Sequence, residues 1–124
     1  MHVPTYLTFS LRLDAEEPIE HVKKNIESAM NIQMKSGSFA GVPAFVCEIF
    51  GIKLGLLLWR GIGGAPIFQF HGAPDPRQVR GDPWQEIRID QAVIDLLRRR
   101  GAGEWREPSP EEQKASGDYD LDDI

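Results

Sequence analysis

Cysteine is almost missing from this chain of 124 residues, which contains only Cys47. A single thiol excludes an intramolecular disulfide framework and a multi-cysteine zinc module. Basic residues are also in the minority, with 14 Lys+Arg against 19 Asp+Glu and a formal net charge of -5. That balance argues against a general nucleic-acid binder, which usually carries an excess of basic residues.

Long hydrophobic runs are missing as well. The longest apolar stretch, about Ile49 to Trp59, is interrupted by Lys53 and two glycines, whereas a membrane-spanning helix needs about 20 apolar residues. Residues 1–13 contain no early Lys or Arg, and their apolar residues alternate with polar ones, unlike a secretory signal. The sequence therefore predicts a cytoplasmic protein without a membrane span, and its compactness is compatible with a bacterial source.

The residues that are present describe an ordinary globular domain, 41% hydrophobic and 27% charged. Folding a chain of this length buries roughly two-thirds of its unfolded surface, which is enough for one core. The character changes after Trp105. Residues 107–124 carry seven acids and one base, net -6, while residues 1–106 are net +1. We predict one domain over 1–106 and a flexible acidic tail over 107–124.

Apolar periodicity predicts the elements of the first half. Residues 6–13 alternate apolar and polar side chains, which indicates a strand with one buried face. Residues 18–34 repeat apolar side chains at helical spacing after Pro18, which indicates an amphipathic helix. Residues 36–43 are rich in Gly and Ser and are expected to form a loop. Residues 44–60 form either two strands broken at Gly51 or one bulged strand.

The second half predicts a hairpin of 52–60 with 66–71, a loop over 72–83 and a short strand over 84–89 with Ile87 and Ile89 inward. A second helix follows, with Asp90 as N-cap and Gly101 as its stop. The fold class is therefore α+β, a small, mainly antiparallel sheet of four or five strands with two amphipathic helices packed on one face. The predicted core is Leu7, Phe9, Leu11, Ile19, Val22, Ile26, Phe45, Cys47, Ile49, Leu56, Leu58, Phe68, Phe70, Ile89, Val93, Leu96 and Leu97.

No constellation of side chains predicts catalysis, a metal site or a cofactor. Cys47 lies in an apolar strand, where a thiol behaves as a small hydrophobe. The three histidines are scattered and lack metal-ligand spacing. The turn Gly61–Gly64 lacks the Lys-Ser/Thr pair of a phosphate-binding loop. An alternative remains open, a small-ligand or enzymatic site built from Gly61–Gly64, His71, Arg77 and Arg80.

The C-terminal segment carries the most unusual pattern, because aspartates alternate there with Tyr119 and Leu121. One interpretation is a disordered, solubilising end. The other is a recognition segment that attracts a basic partner, with aromatic and aliphatic anchors. Elsewhere in the chain, the apolar face that carries Leu57 and Trp59 offers a further functional hypothesis, in which copies of the protein associate with one another. The predicted partner-binding residues are Trp105, Asp118, Tyr119, Asp120, Leu121, Asp122 and Asp123.

In size, α+β order, acidic end and lack of a catalytic constellation, the chain resembles small cytosolic immunity proteins, which neutralise bacterial toxins by binding them. The resemblance implies a protein partner, such as a basic toxin domain, that is inhibited by steric and electrostatic occlusion. It assigns no role to any single residue, because composition and fold do not determine function. Neither the identity of the partner nor the oligomeric state follows from the sequence.

Overall fold

The computed structural model describes residues 4–49, 51–60, 64–74 and 84–115. Its elements are β1 (Thr5–Asp14), α1 (Ile19–Met30), β2 (Lys35–Phe39), β3 (Val42–Ile49), β4 (Ile52–Arg60), β5 (Pro66–Pro74), β6 (Gln85–Arg88), α2 (Asp90–Arg99) and α3 (Pro110–Ala115). The strands form one sheet of order β2-β3-β4-β5-β1-β6. All neighbours are antiparallel except β1 and β6. Helices and a mostly antiparallel sheet are confirmed, although the sheet has six strands. Within the described part of the chain, no helix is long and apolar enough to cross a membrane.

The predicted break at Gly51 is confirmed, because β3 and β4 are separate strands and Gly51 has φ 76°. The predicted loop over 36–43 is wrong, since β2 and β3 form a hairpin there. Ala40 and Gly41 turn this hairpin with φ 52° and 77°, the positive pair that a two-residue hairpin turn requires. Helix α1 ends at Met30, earlier than predicted, because Asn31 adopts a left-handed conformation.

The first face of the sheet carries the main core, against which α1 and α2 pack. Phe9, Leu11 and Leu13 of β1 point into it, as their alternation predicts. Two predictions for this face are wrong. Leu58 is 51% exposed and Ile87 is 53% exposed, so neither side chain belongs to the core.

The second face of the sheet is also buried, contrary to the predicted strand with one buried face. The side chain of Arg12 is fully buried there, and its guanidinium donates to Ser10 Oγ at 3.0 Å. Phe39, from the β2–β3 hairpin, folds over this face. Its ring covers Gly55 and stacks on His71 with 5.6 Å between ring centroids. Leu57, the proposed contact between copies, is buried beneath this cover.

The outer edge of β1 is closed by three different groups. Strand β6 pairs with Thr5 to Thr8, and Arg106 makes an antiparallel bridge with Arg12. Between them, the Asp90 carboxylate accepts the backbone N–H of Ser10 at 2.7 Å. The predicted role of Asp90 as N-cap is therefore wrong. Asp90 is the first helical residue, and no side chain caps the start of α2.

A candidate partner-binding surface at the root of the C-terminal segment

The chain that leads into the C-terminal segment is attached to β1 through Arg106. Its backbone exchanges two hydrogen bonds with Arg12, N to O at 2.8 and 2.9 Å. Its guanidinium donates to Asp14 Oδ2 at 2.7 Å on one side and to Glu112 Oε2 at 2.7 Å on the other. Bidentate guanidinium–carboxylate contacts fix orientation as well as distance. Arg106 thus fixes the position of α3 relative to the sheet.

Helix α3 begins with the capping box that the spacing of Ser109 and Glu112 indicates. Ser109 Oγ accepts the N–H of Glu112 at 3.1 Å, and the Glu112 carboxylate accepts the N–H of Ser109 at 2.8 Å. Reciprocal bonds of this kind satisfy two otherwise unpaired helix donors. The first part of the predicted tail is therefore a short helix held on the body.

Arg106, Asp14 and Glu112 form an ion cluster, and the ionisation of each carboxyl in it depends on Arg106. Hydrogen bonds from Arg106 lower the pKa of Glu112 to about 2, although burial of the carboxyl opposes the shift. Arg106 likewise lowers the pKa of Asp14 below its ordinary value. Both carboxyls are therefore ionised at neutral pH, and the start of α3 is electrostatically bound to the end of β1.

We expect acid to release this attachment. Because the pKa of Glu112 is lower in the folded than in the unfolded chain, its contribution to stability is present above about pH 4.5 and is lost as the pH falls towards 2. Arg106→Gln should lower the free energy of unfolding at pH 7 by about 2 kcal/mol. Urea unfolding at pH 7, 4 and 3 should show that this variant loses less stability on acidification than the wild type.

Arg98→Gln is the matched control, because Arg98 forms an ion pair with Glu104 that is open to solvent. Such surface pairs contribute about 0–1 kcal/mol. The free energy of unfolding of the Arg98→Gln variant should stay near that of the wild type at pH 7. It should decrease by the same amount as the wild type when the pH is lowered to 4 and 3. Equal acid sensitivity of the Arg106→Gln variant and the wild type would contradict the assignment.

Acidic side chains lie near the root of the C-terminal segment, by which we mean Arg106 and the start of α3. A surface pocket of about 360 Å³ is lined by Asp14, Glu17 and Glu104, together with His21 and Asn25. Glu107 and Glu111, which follow Arg106 in the chain, are exposed. Two arginines partly balance this charge, since Arg98 contacts Glu104 at 3.2 Å and Arg106 contacts Asp14 at 2.7 Å. The imidazole of His21 lies 2.9 Å from Glu17. The acidic character of the C-terminal segment thus continues onto the folded body.

Sequence reasoning missed Asp14, Glu17 and Glu104 as members of one surface. They come from the end of β1, the turn between β1 and α1, and the chain after α2, and about 90 residues separate the first from the last. The bridge between Arg12 and Arg106 and the ion pair between Arg106 and Asp14 bring these segments together. No local pattern in either segment encodes that pairing.

Trp105 was predicted to contact a partner, but the structure places it in the core. Its side chain is 0% exposed, its indole N–H donates to the carbonyl of Ala102 at 3.0 Å, and its ring packs against Phe70. A residue so enclosed is not available to a partner, so we remove it from the binding set. The other predicted binding residues, Asp118, Tyr119, Asp120, Leu121, Asp122 and Asp123, lie outside the described residues.

Only two of the residues predicted for the alternative small-ligand site, Gly64 and His71, lie within the ranges that the structure describes. His71 is buried on the second face, bonded to Gln69 at 2.8 Å and covered by Phe39. Burial, with a contribution from the neighbouring Arg12, lowers the pKa of His71 to about 3, so its imidazole is neutral. Gly64 is exposed, whereas residues 61–63, Arg77 and Arg80 lie outside the described ranges.

Cys47 lies apart from His71, because its side chain packs against the first-face core. Burial raises the pKa of its thiol, which keeps the thiol protonated, whereas nucleophilic cysteines need a lowered pKa. Among the described residues, no group of three His, Cys, Asp or Glu side chains is arranged to hold a metal ion. No protein-family model, curated protein or solved structure gives a significant match to the chain.

Proposed function

We propose that this protein is a non-catalytic binding protein that recognises a basic protein partner through its acidic C-terminal end. The class of function that fits best is an immunity or inhibitor protein, which blocks a toxin domain by steric and electrostatic occlusion. The Arg106 ion cluster is the observation that supports it most strongly, because it fixes the start of the acidic segment beside further carboxylates of the body.

A fixed root matters for binding energetics. Ordering a free segment on binding costs conformational entropy, and attachment close to the binding residues lowers that cost. Here the last described residue, Ala115, ends a helix whose Glu112 is bonded to Arg106. The nine residues that follow include four aspartates. They therefore start from a defined position on the surface.

The charge distribution favours steering of a basic partner. Residues 1–106 are almost neutral at +1, so the net negative charge of the chain comes from residues 107–124 at -6. Concentrated charge of one sign accelerates association with an oppositely charged protein, and the effect weakens with salt. An acidic end of this kind is suited to occupy the anion-binding groove of a basic enzyme.

The proposal is tested by capture from the source organism with two variants of equal charge. Asp120→Asn with Asp122→Asn changes the segment, and Glu48→Gln with Asp95→Asn changes two exposed acids elsewhere on the body. We expect the wild type and the second variant to retain one basic protein in low salt. The first variant should retain at least tenfold less, since two charges in the contact are lost.

The result that would contradict the proposal is equal retention by both variants, or a captured protein with an acidic surface. Removal of the whole predicted tail, residues 107–124, is a poorer test. It deletes Glu112 and breaks the ion cluster of Arg106, so it would disturb the end of β1 as well as the segment.

A further inference from the structure

The sheet ends on a different kind of strand at each of its two edges. At one edge, β2 has four exposed residues, of which only Lys35 is charged, and its large apolar side chain, Phe39, is buried. At the other edge, all four residues of β6 are exposed, and Ile87 among them is 53% exposed. Within the described ranges, β6 pairs with β1 alone. A strand edge beside an exposed aliphatic side chain is a template for one more strand.

The backbone of β6 directs the groups of Glu86 and Arg88 toward this edge. The N–H groups of Gln85 and Ile89 each donate at 2.8 Å to a carbonyl on the side of β1. Neighbouring residues of a strand direct their backbone groups to opposite sides. Residues 85, 87 and 89 therefore bond toward β1, and the N–H and C=O groups of Glu86 and Arg88 point away from it.

The side chains of β6 separate charge from apolar surface. Glu86 accepts a hydrogen bond from Thr8 Oγ1 at 2.9 Å, and Arg88 Nε donates to Asp90 Oδ2 at 3.0 Å. Alternate residues of a strand share one face, so these two charged side chains lie together on the second face of the sheet. Ile87 lies on the first face. The edge thus presents an acid and a base on one face and an aliphatic side chain on the other.

This pattern is complementary to a second copy of itself in one register. Homodimers usually have a twofold axis, which across a shared sheet edge makes the two strands antiparallel, and their outward backbone groups must face each other. The registers that meet this condition place Glu86 opposite itself, Arg88 opposite itself, or Glu86 opposite Arg88 of the second copy. Like charges directly opposite each other destabilise a strand pair and opposite charges stabilise it. Only the last register is therefore favourable.

In this register the two Ile87 side chains meet at the twofold axis. Ile87 bonds toward β1, so it forms a non-hydrogen-bonded pair with its copy, in which the Cα atoms lie about 4.5 Å apart and the side chains are closest. Each isoleucine then covers the exposed surface of the other. On the second face, Glu86 reaches Arg88 of the second copy. A guanidinium carries several N–H donors, so Arg88 can bond to Asp90 and to this carboxylate together.

We propose that two copies of this protein associate through β6, in the antiparallel register that places Ile87 at the twofold axis. The contact goes beyond the proposed function, because it involves neither the acidic C-terminal segment nor a different protein. It is also small, since a standard interface has about 20–30 residues a side and β6 has four. We therefore expect a reversible dimer that forms at high micromolar concentration.

The charges of β6 allow a test by exchange. Glu86→Arg leaves only bases on this face of the strand and Arg88→Glu leaves only acids, so each chain should repel its own copy. Sedimentation equilibrium of the full chain should give dimer dissociation constants at least about tenfold higher for each variant than for the wild type. An equimolar mixture of the two variants should associate like the wild type, because each strand then faces opposite charges.

A second comparison does not depend on Arg88, whose ion pair with Asp90 is lost in the Arg88→Glu variant. Ile87→Asp places like charges opposite each other at the axis. Leu58→Asp is the matched control, because it changes an aliphatic side chain of similar exposure, 51% against 53%, on a different strand. The Leu58→Asp chain should dimerise like the wild type, and the Ile87→Asp chain should associate at least about tenfold more weakly.

A wild type that stays monomeric at about 1 mM would overturn the proposal. Dimerisation that Ile87→Asp and Leu58→Asp weaken equally, or that neither weakens, would also overturn it, since β6 would not be the contact. The proposed register is wrong if both charge variants fold and lose self-association but their mixture stays monomeric. None of these substitutions changes an acid of the C-terminal segment, so a failure here is distinct from a failure of the proposed function.

Discussion

Replacing Gly55 with alanine is expected to lower the free energy of unfolding by about 3 kcal/mol, at the upper end of the usual cost of overfilling a core. A Cβ at this position would lie 2.5 Å from one ring carbon of Phe39 and 2.8 Å from its Cβ. Rotation of the ring would not relieve the second contact, because Phe39 Cβ moves only with the backbone of β2. The variant must displace the hairpin from the second face, and with it the ring that covers His71.

A double-mutant cycle with Phe39→Ala separates this clash from the other effects of alanine in a strand. Phe39→Ala alone should cost about 3–5 kcal/mol, because a buried aromatic ring is lost. In that background Gly55→Ala should cost less than in the wild type, since the two ring carbons at 2.5 and 2.6 Å are gone and only the Cβ contact at 2.8 Å remains. Urea unfolding of the four proteins gives the coupling energy. Additive costs would show that Phe39 does not lie over Gly55 in solution.

Trp105→Ala is expected to cost about 3–5 kcal/mol of unfolding free energy, the usual loss for a large aromatic side chain in a core. The ring is fully buried against Phe70, and its N–H bonds to the carbonyl of Ala102. Trp105→Phe should cost less, because it retains most of the apolar contact and loses the hydrogen bond, about 1 kcal/mol. Thermal or urea unfolding should show the highest stability for the wild type, a lower stability for Trp105→Phe and the lowest for Trp105→Ala.

Trp84→Ala is the control for loss of an indole. Trp84 is only partly buried, in edge contact with Tyr6 at 5.6 Å between centroids, so the cost should be about 1 kcal/mol. If Trp105→Ala instead left stability unchanged and abolished partner capture, Trp105 would be a contact residue, and its place in the core would be contradicted.

The parts of the fold that could be predicted are those with a local period. Alternation over β1 reflects one apolar face and helical spacing over α1 reflects one apolar stripe, so pattern alone located both elements. The β2–β3 hairpin has no such pattern, because its Ser and Gly residues are accommodated by pairing rather than by burial. The burial of Arg12 could not be predicted, because nothing within β1 shows that Phe39 and the hairpin cover the second face.

At the candidate site, too, the features that could be predicted are local in sequence, and the others depend on contacts between distant residues. The charge of the C-terminal segment and the capping box at Ser109 are local features and could be read directly from the chain. The role of Arg106 could not be read in this way, since two of its three partners, Arg12 and Asp14, become neighbours only when distant parts of the chain meet. Trp105 was misassigned for a related reason, because a tryptophan near the end of a chain is equally common at an interface and in a core.

The salt dependence of association tests the central claim, binding through the acidic C-terminal end, most directly. The measurement is the association rate of the full chain with the captured basic protein, from about 20 to 300 mM salt, for the wild type, the Asp120→Asn, Asp122→Asn variant and the Glu48→Gln, Asp95→Asn variant. We predict that the segment variant associates at least tenfold more slowly in low salt, with a shallower salt slope, while the body variant matches the wild type. Equal rates and equal slopes for the three proteins would contradict the claim.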